Sequence, residues 1–177
     1  MPRIPLQHGF SLIEILVAVL VVAIGLLGVA GMQLVGLKGN HQSFSKNQAA
    51  HHTQALLERI RGNSAGVTAN HYVFDSTTYD CNVEPAKNCG LVSELCDASE
   101  IAAYDLFRSF CGSKGGVVGG MKGDLSNAVL KISCPVTCKA SISLSLSWDE
   151  QLLGQEQSAD NKSTVARHLA IDTVIGE

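Results

Sequence analysis

Basic clusters, paired metal-ligand cysteines and phosphate-loop glycines are all missing from this chain. Thirteen Lys and Arg against sixteen Asp and Glu leave a formal net charge of −3 over 177 residues. A mildly acidic chain without a basic cluster lacks the electrostatic footprint of a nucleic-acid binder, and no nucleic-acid partner is expected. None of the six cysteines stands in a Cys-x-x-Cys pair, so no structural zinc and no other metal is expected. The stretch Gly115-Gly116-Val117-Val118-Gly119-Gly120 lacks the spacing and the lysine of a phosphate-binding loop and reads as a flexible connection. Asp, Ser and His are present beyond residue 62, but no nucleophile motif accompanies them. The chain is therefore not read as an enzyme, and no catalytic residue or cofactor is assigned.

The most informative absence is one of charge. From Phe10 to Leu37 the sequence carries a single ionisable side chain, Glu14, and no Lys or Arg. At about 1.5 Å per residue, this run as a helix crosses a hydrocarbon core of roughly 30 Å, so it reads as a membrane helix. A carboxylate near the end of such a helix costs on the order of a few kcal/mol unless it reaches the headgroups or meets a cation. Glu14 is thus either an acid that snorkels to the interface or a functional residue. Gly25, Gly28 and Gly31 recur every three residues in the run and offer the small surfaces that membrane helices use for association. An ordinary secretory signal would instead be cut after the apolar stretch, near Gly28-Val29-Ala30, but that reading leaves Glu14 without a reason.

Beyond Leu37 the pattern turns amphipathic without a break. Ala49, Thr53, Leu56 and Ile60 form one helical stripe, Arg59 and Arg61 occupy the last turn, and Gly62-Asn63 is a stop signal. One helix is expected from about Phe10 to about Arg61. His41, His51 and His52 on this stretch read as ordinary polar helix residues. Val67 to Phe74 is a candidate strand, and Cys81 to Cys89 reads as a stapled loop. Asp97-Ala98-Ser99-Glu100 is a capping-box sequence that opens a helix to Phe110, with Ala103, Leu106, Phe107 and Phe110 on one face and Gly112 at its end. Leu130 and Ile132 alternate with polar residues, as do Ile142, Leu144, Leu146 and Trp148, and then Leu169 and Ile171. Three such runs argue an antiparallel sheet with one buried face, packed on the amphipathic part of the long helix in an α+β layering.

The cysteines lie beyond the apolar run, and their even number in a translocated domain favours disulfides. Cys134 and Cys138 flank a turn between two strands and suit a local bridge. Of the pairings among Cys81, Cys89, Cys96 and Cys111, the one joining Cys96 to Cys111 requires spanning about 20 Å along a continuous helix. The two others stay open.

Gly9-Phe10-Ser11-Leu12-Ile13-Glu14 ahead of an apolar helix resembles the processing site of type IV pilins and pseudopilins. The resemblance implies a cleaved leader over residues 1–9, cut between Gly9 and Phe10 by a prepilin peptidase, and a methylated Phe10 amine. Loss of Arg3, the only charged side chain in that leader, takes the formal charge from −3 to −4. In lipid, the new amine and the Glu14 carboxylate each favour a partner, and Glu14 of an incoming subunit meeting the Phe10 amine of a neighbour would fix axial register. The expected organisation is a transmembrane and assembly half over 10–37, an amphipathic half over 38–62 and a periplasmic globular head over 63–177.

Cys96-Asp97-Ala98-Ser99-Glu100-Ile101-Ala102-Ala103-Tyr104-Asp105-Leu106, Ile142-Ser143-Leu144-Ser145-Leu146-Ser147-Trp148 and the stem stretch Gln54-Ala55-Leu56-Leu57-Glu58-Arg59-Ile60-Arg61 resemble minor pilins of the type IV pilus modification (PilV) family. That resemblance implies a pilin-like fold and a low-abundance subunit that primes or caps a type IV pilus. Its partners would be other minor and major pilins, the prepilin peptidase and the inner-membrane assembly platform. It implies an inner-membrane location with a periplasmic head before assembly, and the fibre or its tip afterwards. The alternatives are a minor pseudopilin of a type II secretion system and, from other classes, a membrane-anchored extracytoplasmic enzyme or an adhesin head.

Overall fold

A single helix, α1 (Leu12–Gly62), accounts for the first third of the protein. Ser11 is its N-cap: the Ser11 carbonyl accepts from the Glu14 and Ile15 amides at 3.0 and 3.4 Å. Glu14 lies in the first turn, and Arg59 and Arg61 lie in the last, so charge opposes the helix dipole at both ends. The computed structural model describes residues 9–91, 95–116, 118–151 and 164–175, except the side chains at 38, 41 and 151. The leader expected at 1–9 therefore lies outside the described residues up to residue 8. Two compact units divide the chain, one up to His41 and one from Gln42.

In the first unit the apolar side chains are exposed, including Leu20, Val21, Ile24, Leu27 and Leu34. The best 18-residue window of α1 has a mean hydropathy of 2.9 with none of it buried within the protein, so by length and composition α1 can cross a membrane. A Cβ added at Gly25, Gly28 or Gly31 would meet nothing within 4 Å, so these small surfaces are left open.

The second unit is built on a four-stranded antiparallel sheet in the order β1-β2-β3-β4, from β1 (Phe74–Asp75), β2 (Val129–Ser133), β3 (Ile142–Gln151) and β4 (Thr164–Thr173). Alternation places Leu130, Ile132, Ile142, Leu144, Leu146 and Trp148 on its buried face. They share one core with Ala49, Leu56, Leu57 and Ile60 of α1, together with Leu106, Phe107 and Phe110. Each large aliphatic side chain fully buried there contributes roughly 1.5–3 kcal/mol. The protein has an α+β, pilin-like fold: a long N-terminal helix, a small antiparallel sheet and three disulfides.

The chain passes through α2 (Ser64–Thr68) between α1 and β1, and through α3 (Ala98–Phe110) and α4 (Met121–Asp124) between β1 and β2. The strand expected over Val67 to Phe74 is reduced to Phe74 and Asp75. Asn63 explains the difference, because its side-chain oxygen accepts the Gly66 amide at 3.1 Å and starts α2. Asn70 then takes a left-handed conformation, φ 59°, which turns the chain before it can extend. The capping box of α3 forms, with Asp97 accepting from the Ser99 and Glu100 amides and Glu100 accepting from the Asp97 amide. Its buried face is rotated from the one expected: Ala103 is exposed, whereas Ala102 and Asp105 are buried with Leu106, Phe107 and Phe110. After α3, Gly112 has φ 69°, and a Cβ there would sit 2.3 Å from the Gly119 backbone. That approach demands glycine, and the strand-like sequence after it is preceded by an unexpected short helix, α4, which seats Met121 in the core.

Candidate functional site

The residues singled out by the sequence fall into two groups. Gly9 and Phe10 stand ahead of α1, both exposed, with Phe10 80 % accessible and no atom within 4 Å of a Cβ built at Gly9. Glu14 is also exposed, at the third position of the helix. Phe10 precedes the N-cap and so lies outside the first helical turn. Ser11-Leu12-Ile13-Glu14 also has the residue types of a capping box.

The second group is the cysteines. Cys134 bridges Cys138, Cys81 bridges Cys111, and Cys89 bridges Cys96, leaving no free cysteine among the described residues. Cys81 and Cys89 are therefore not stapled to each other. Cys81 instead ties the segment after β1 to the end of α3, where the Gly115 amide also donates to the Cys81 carbonyl at 2.8 Å. Cys89–Cys96 closes a small ring just before α3, and Lys87 secures it by donating to Glu100 at 2.8 Å and to the Leu95 carbonyl at 3.2 Å.

Two buried polar groupings were missed. Asp105, 5 % exposed, accepts the Tyr72 hydroxyl at 2.9 Å and Arg59 at 3.2 Å, and the Asn63 amide donates to the Tyr72 oxygen at 3.1 Å. Burial, together with the Asp105 charge, raises the Tyr72 phenol well above its ordinary range. This cluster joins α1, α2 and α3, and its only sequence signal was the spacing that puts Asp105 on the Leu106 side of α3. Glu150, 2 % exposed, continues the inward row of β3 after Trp148 and pairs with Arg167 of β4. Strict alternation from Ile142 would have found it. His52 hydrogen-bonds Asp124 at 2.9 Å, which links α1 to α4. Among the described residues no three His, Cys, Asp or Glu side chains are grouped to hold a metal.

An exposed Gly9-Phe10 pair, an acid in the first helical turn and an unburied apolar helix behind it thus follow one another at the head of the described residues. Residues 4–30 match the family model of the prokaryotic N-terminal methylation motif. The match contains Gly9, Phe10, Glu14 and most of the apolar run, and leaves the sheet-bearing unit outside. That match supports a type IV pilin-like or pseudopilin protein and is consistent with membrane anchoring through α1. No curated protein and no solved structure matches the chain.

Proposed function

We propose that this protein is a minor pilin, cut between Gly9 and Phe10 by a prepilin peptidase, methylated on the Phe10 amine and drawn into a type IV pilus through α1. The methylation motif at the head of an unburied apolar helix carries this reading. Before assembly, residues 10–37 hold the protein in the inner membrane, 38–62 continue the stem and the head over 63–177 lies in the periplasm. Three disulfides support that compartment, because cytosolic thiols are kept reduced.

Cleavage turns the Phe10 nitrogen into a cationic amine. In the fibre, Glu14 of an entering subunit meets the Phe10 amine of a neighbour, and the pair sets axial register. The open glycine surfaces at Gly25, Gly28 and Gly31 allow the stems to approach closely. The head, which resembles the PilV family in α3 and β3, supplies the distinct surface of a low-abundance subunit that primes or caps the fibre with other minor and major pilins and the inner-membrane platform. The motif is shared with pseudopilins, so a minor pseudopilin of a type II secretion system is the second reading. Deleting the gene and scoring fibres against secretion separates the two: loss of fibres alone supports the pilin, and loss of secretion alone overturns it. In the same strain, Glu14→Ala is expected to leave cleavage and insertion intact while lowering the amount in sheared fibres; normal incorporation would sink the register role.

A further inference from the structure

Three side-chain polar atoms lie inside the second unit without a hydrogen-bond partner among the described residues: Thr53 Oγ1, Trp148 Nε1 and Glu150 Oε1. Their residues are 0, 4 and 2 % exposed. Other buried polar side chains of this unit are met. Asn63 and Asp105 both bond Tyr72, and Ser76 Oγ accepts the Leu130 amide at 2.9 Å. A buried donor or acceptor left unmet costs about 1–3 kcal/mol, so three of them in one core ask for a partner.

Trp148 and Glu150 are successive members of the inward row of β3, about 7 Å apart along the strand. Arg167 stands directly opposite Trp148 in the ladder, yet its Nε donates to Oε2 of Glu150. That diagonal bond draws the Glu150 carboxylate back along the strand toward the Trp148–Arg167 pair. Oε2 is thereby engaged, and Oε1 of the same carboxylate is the unmet acceptor. The indole can only donate and the carboxylate engaged by Arg167 accepts, so the two are complementary, but no direct bond joins them.

Thr53 comes to the same end of the sheet from α1. Where α1 ends, the chain meets the start of β3: Asn63 bonds Tyr72, and Asn70 accepts the Cys138 amide at 2.9 Å shortly before β3 begins. Farther back on α1, His52 bonds Asp124, and close behind it the Ser126 carbonyl accepts the Asp149 amide at 2.8 Å. This part of α1 therefore runs antiparallel to β3. Its inward stripe of Ala49, Thr53, Leu56 and Ile60 places Thr53 toward the end of the strand that carries Trp148 and Glu150. A threonine hydroxyl both donates and accepts.

We propose that a water molecule is bound inside this unit by Trp148 Nε1, Glu150 Oε1 and Thr53 Oγ1. It accepts from the indole, donates to the carboxylate and completes its set with the hydroxyl. Buried waters make about three hydrogen bonds to polar groups that have no other partner, and three such groups are offered here. A cation would suit the carboxylate but face the indole N–H, and an anion would suit the indole but face the carboxylate. Water is the small ligand that serves both. The site ties the end of β3 to α1 by hydrogen bonds as well as by apolar contact, and it does not depend on which assembly the chain enters.

The test uses the full chain in detergent micelles, its single tryptophan labelled with ¹⁵N at the indole so that Trp148 gives one indole N–H resonance. The expected result is a pair of cross-peaks from that proton to water, opposite in sign in laboratory-frame and rotating-frame Overhauser spectra. Opposite signs mark a water that stays bound, whereas proton exchange gives equal signs. Absence of the pair overturns the inference. Thr53→Val removes the hydroxyl and nearly keeps the side-chain shape. The cross-peaks should then persist with the indole resonance shifted, because water still spans the indole and the carboxylate. Their loss would mean that the signal came through the Thr53 hydroxyl proton; that loss, or an indole resonance that does not move, overturns the site as proposed. Glu150→Leu removes the acceptor, and the cross-peaks should vanish while the three disulfides remain; their survival contradicts the site. If Glu150→Leu does not fold, the wild-type and Thr53→Val spectra decide.

Discussion

Replacing both cysteines of one bridge by alanine should cost stability in the order of the loops closed. Cys81–Cys111 spans 30 residues, Cys89–Cys96 spans 7 and Cys134–Cys138 spans 4. Taking those separations as loop lengths, the chain-entropy relation gives about 3.6, 2.4 and 1.9 kcal/mol at 25 °C. Burial sharpens the contrast, since Cys81 and Cys111 are both in the core, whereas Cys134 is only partly covered. At about 4 °C per kcal/mol for a domain of this size, Cys81→Ala/Cys111→Ala should melt about 14 °C below the wild type and Cys134→Ala/Cys138→Ala about 8 °C below it. The single tryptophan reports the transition, because Trp148 is 4 % exposed and must enter water when the sheet opens. Urea melts of the full chain in detergent micelles, followed by its emission, give the free energies at constant temperature. If Cys81→Ala/Cys111→Ala loses no more than Cys134→Ala/Cys138→Ala, loop closure is not what these bridges contribute and the reasoning fails.

Two further outcomes concern the polar groups of the second unit. Asp105→Ala strands the buried Tyr72 hydroxyl without its acceptor and should cost about 2–3 kcal/mol in the same urea melts, while the double variant with Tyr72→Phe should cost less than the sum of the two singles; strict additivity would refute the coupling. Asp75 accepts the Thr77 amide at 2.9 Å and the Thr77 hydroxyl at 2.7 Å, with Lys131 at 3.0 Å, and these hold its carboxyl down at about 2 from an ordinary 3.8. A depressed carboxylate contributes stability above its unfolded pKa and loses it as the proton binds. The Asp75 contribution is therefore complete above about pH 4 and lost between about pH 4 and pH 2, and Asp75→Asn should flatten the acid limb of a stability–pH curve in that window. An acid limb unchanged by the substitution would contradict the assignment.

How far the sequence could be read depended on the range of the forces involved. α1 was legible because a charge-free run, an amphipathic stripe and a C-terminal glycine all act locally, and the observed Leu12–Gly62 lies within two residues of the expected ends. α3 was legible for the same reason, through Asp97 and Glu100. The three long strands announced themselves by strict alternation. What escaped is tertiary. Val67 to Phe74 has the apolar content of a strand, but one Asn63 side chain caps α2 and diverts it. Ala102 and Ala103 are indistinguishable by composition, and only the position of α1 and the sheet decides which faces inward. The partner of Cys81 was left open because it depends on how the segment after β1 returns to the end of α3, which no local spacing encodes. Asp105 and Glu150 look like surface acids until Tyr72, Arg59 and Arg167 are brought to them. At the candidate site the helix starts at Leu12 rather than about Phe10, which sets Glu14 in its first turn.

The central claim is that the chain is processed as a pilin at Gly9-Phe10, and the intact mass and N-terminal peptide of the mature protein from its native membrane test it most directly. The account predicts a chain that starts at Phe10 with a methylated amine and carries three disulfides. A mature chain starting near Gly31, or one that keeps Met1, would contradict it.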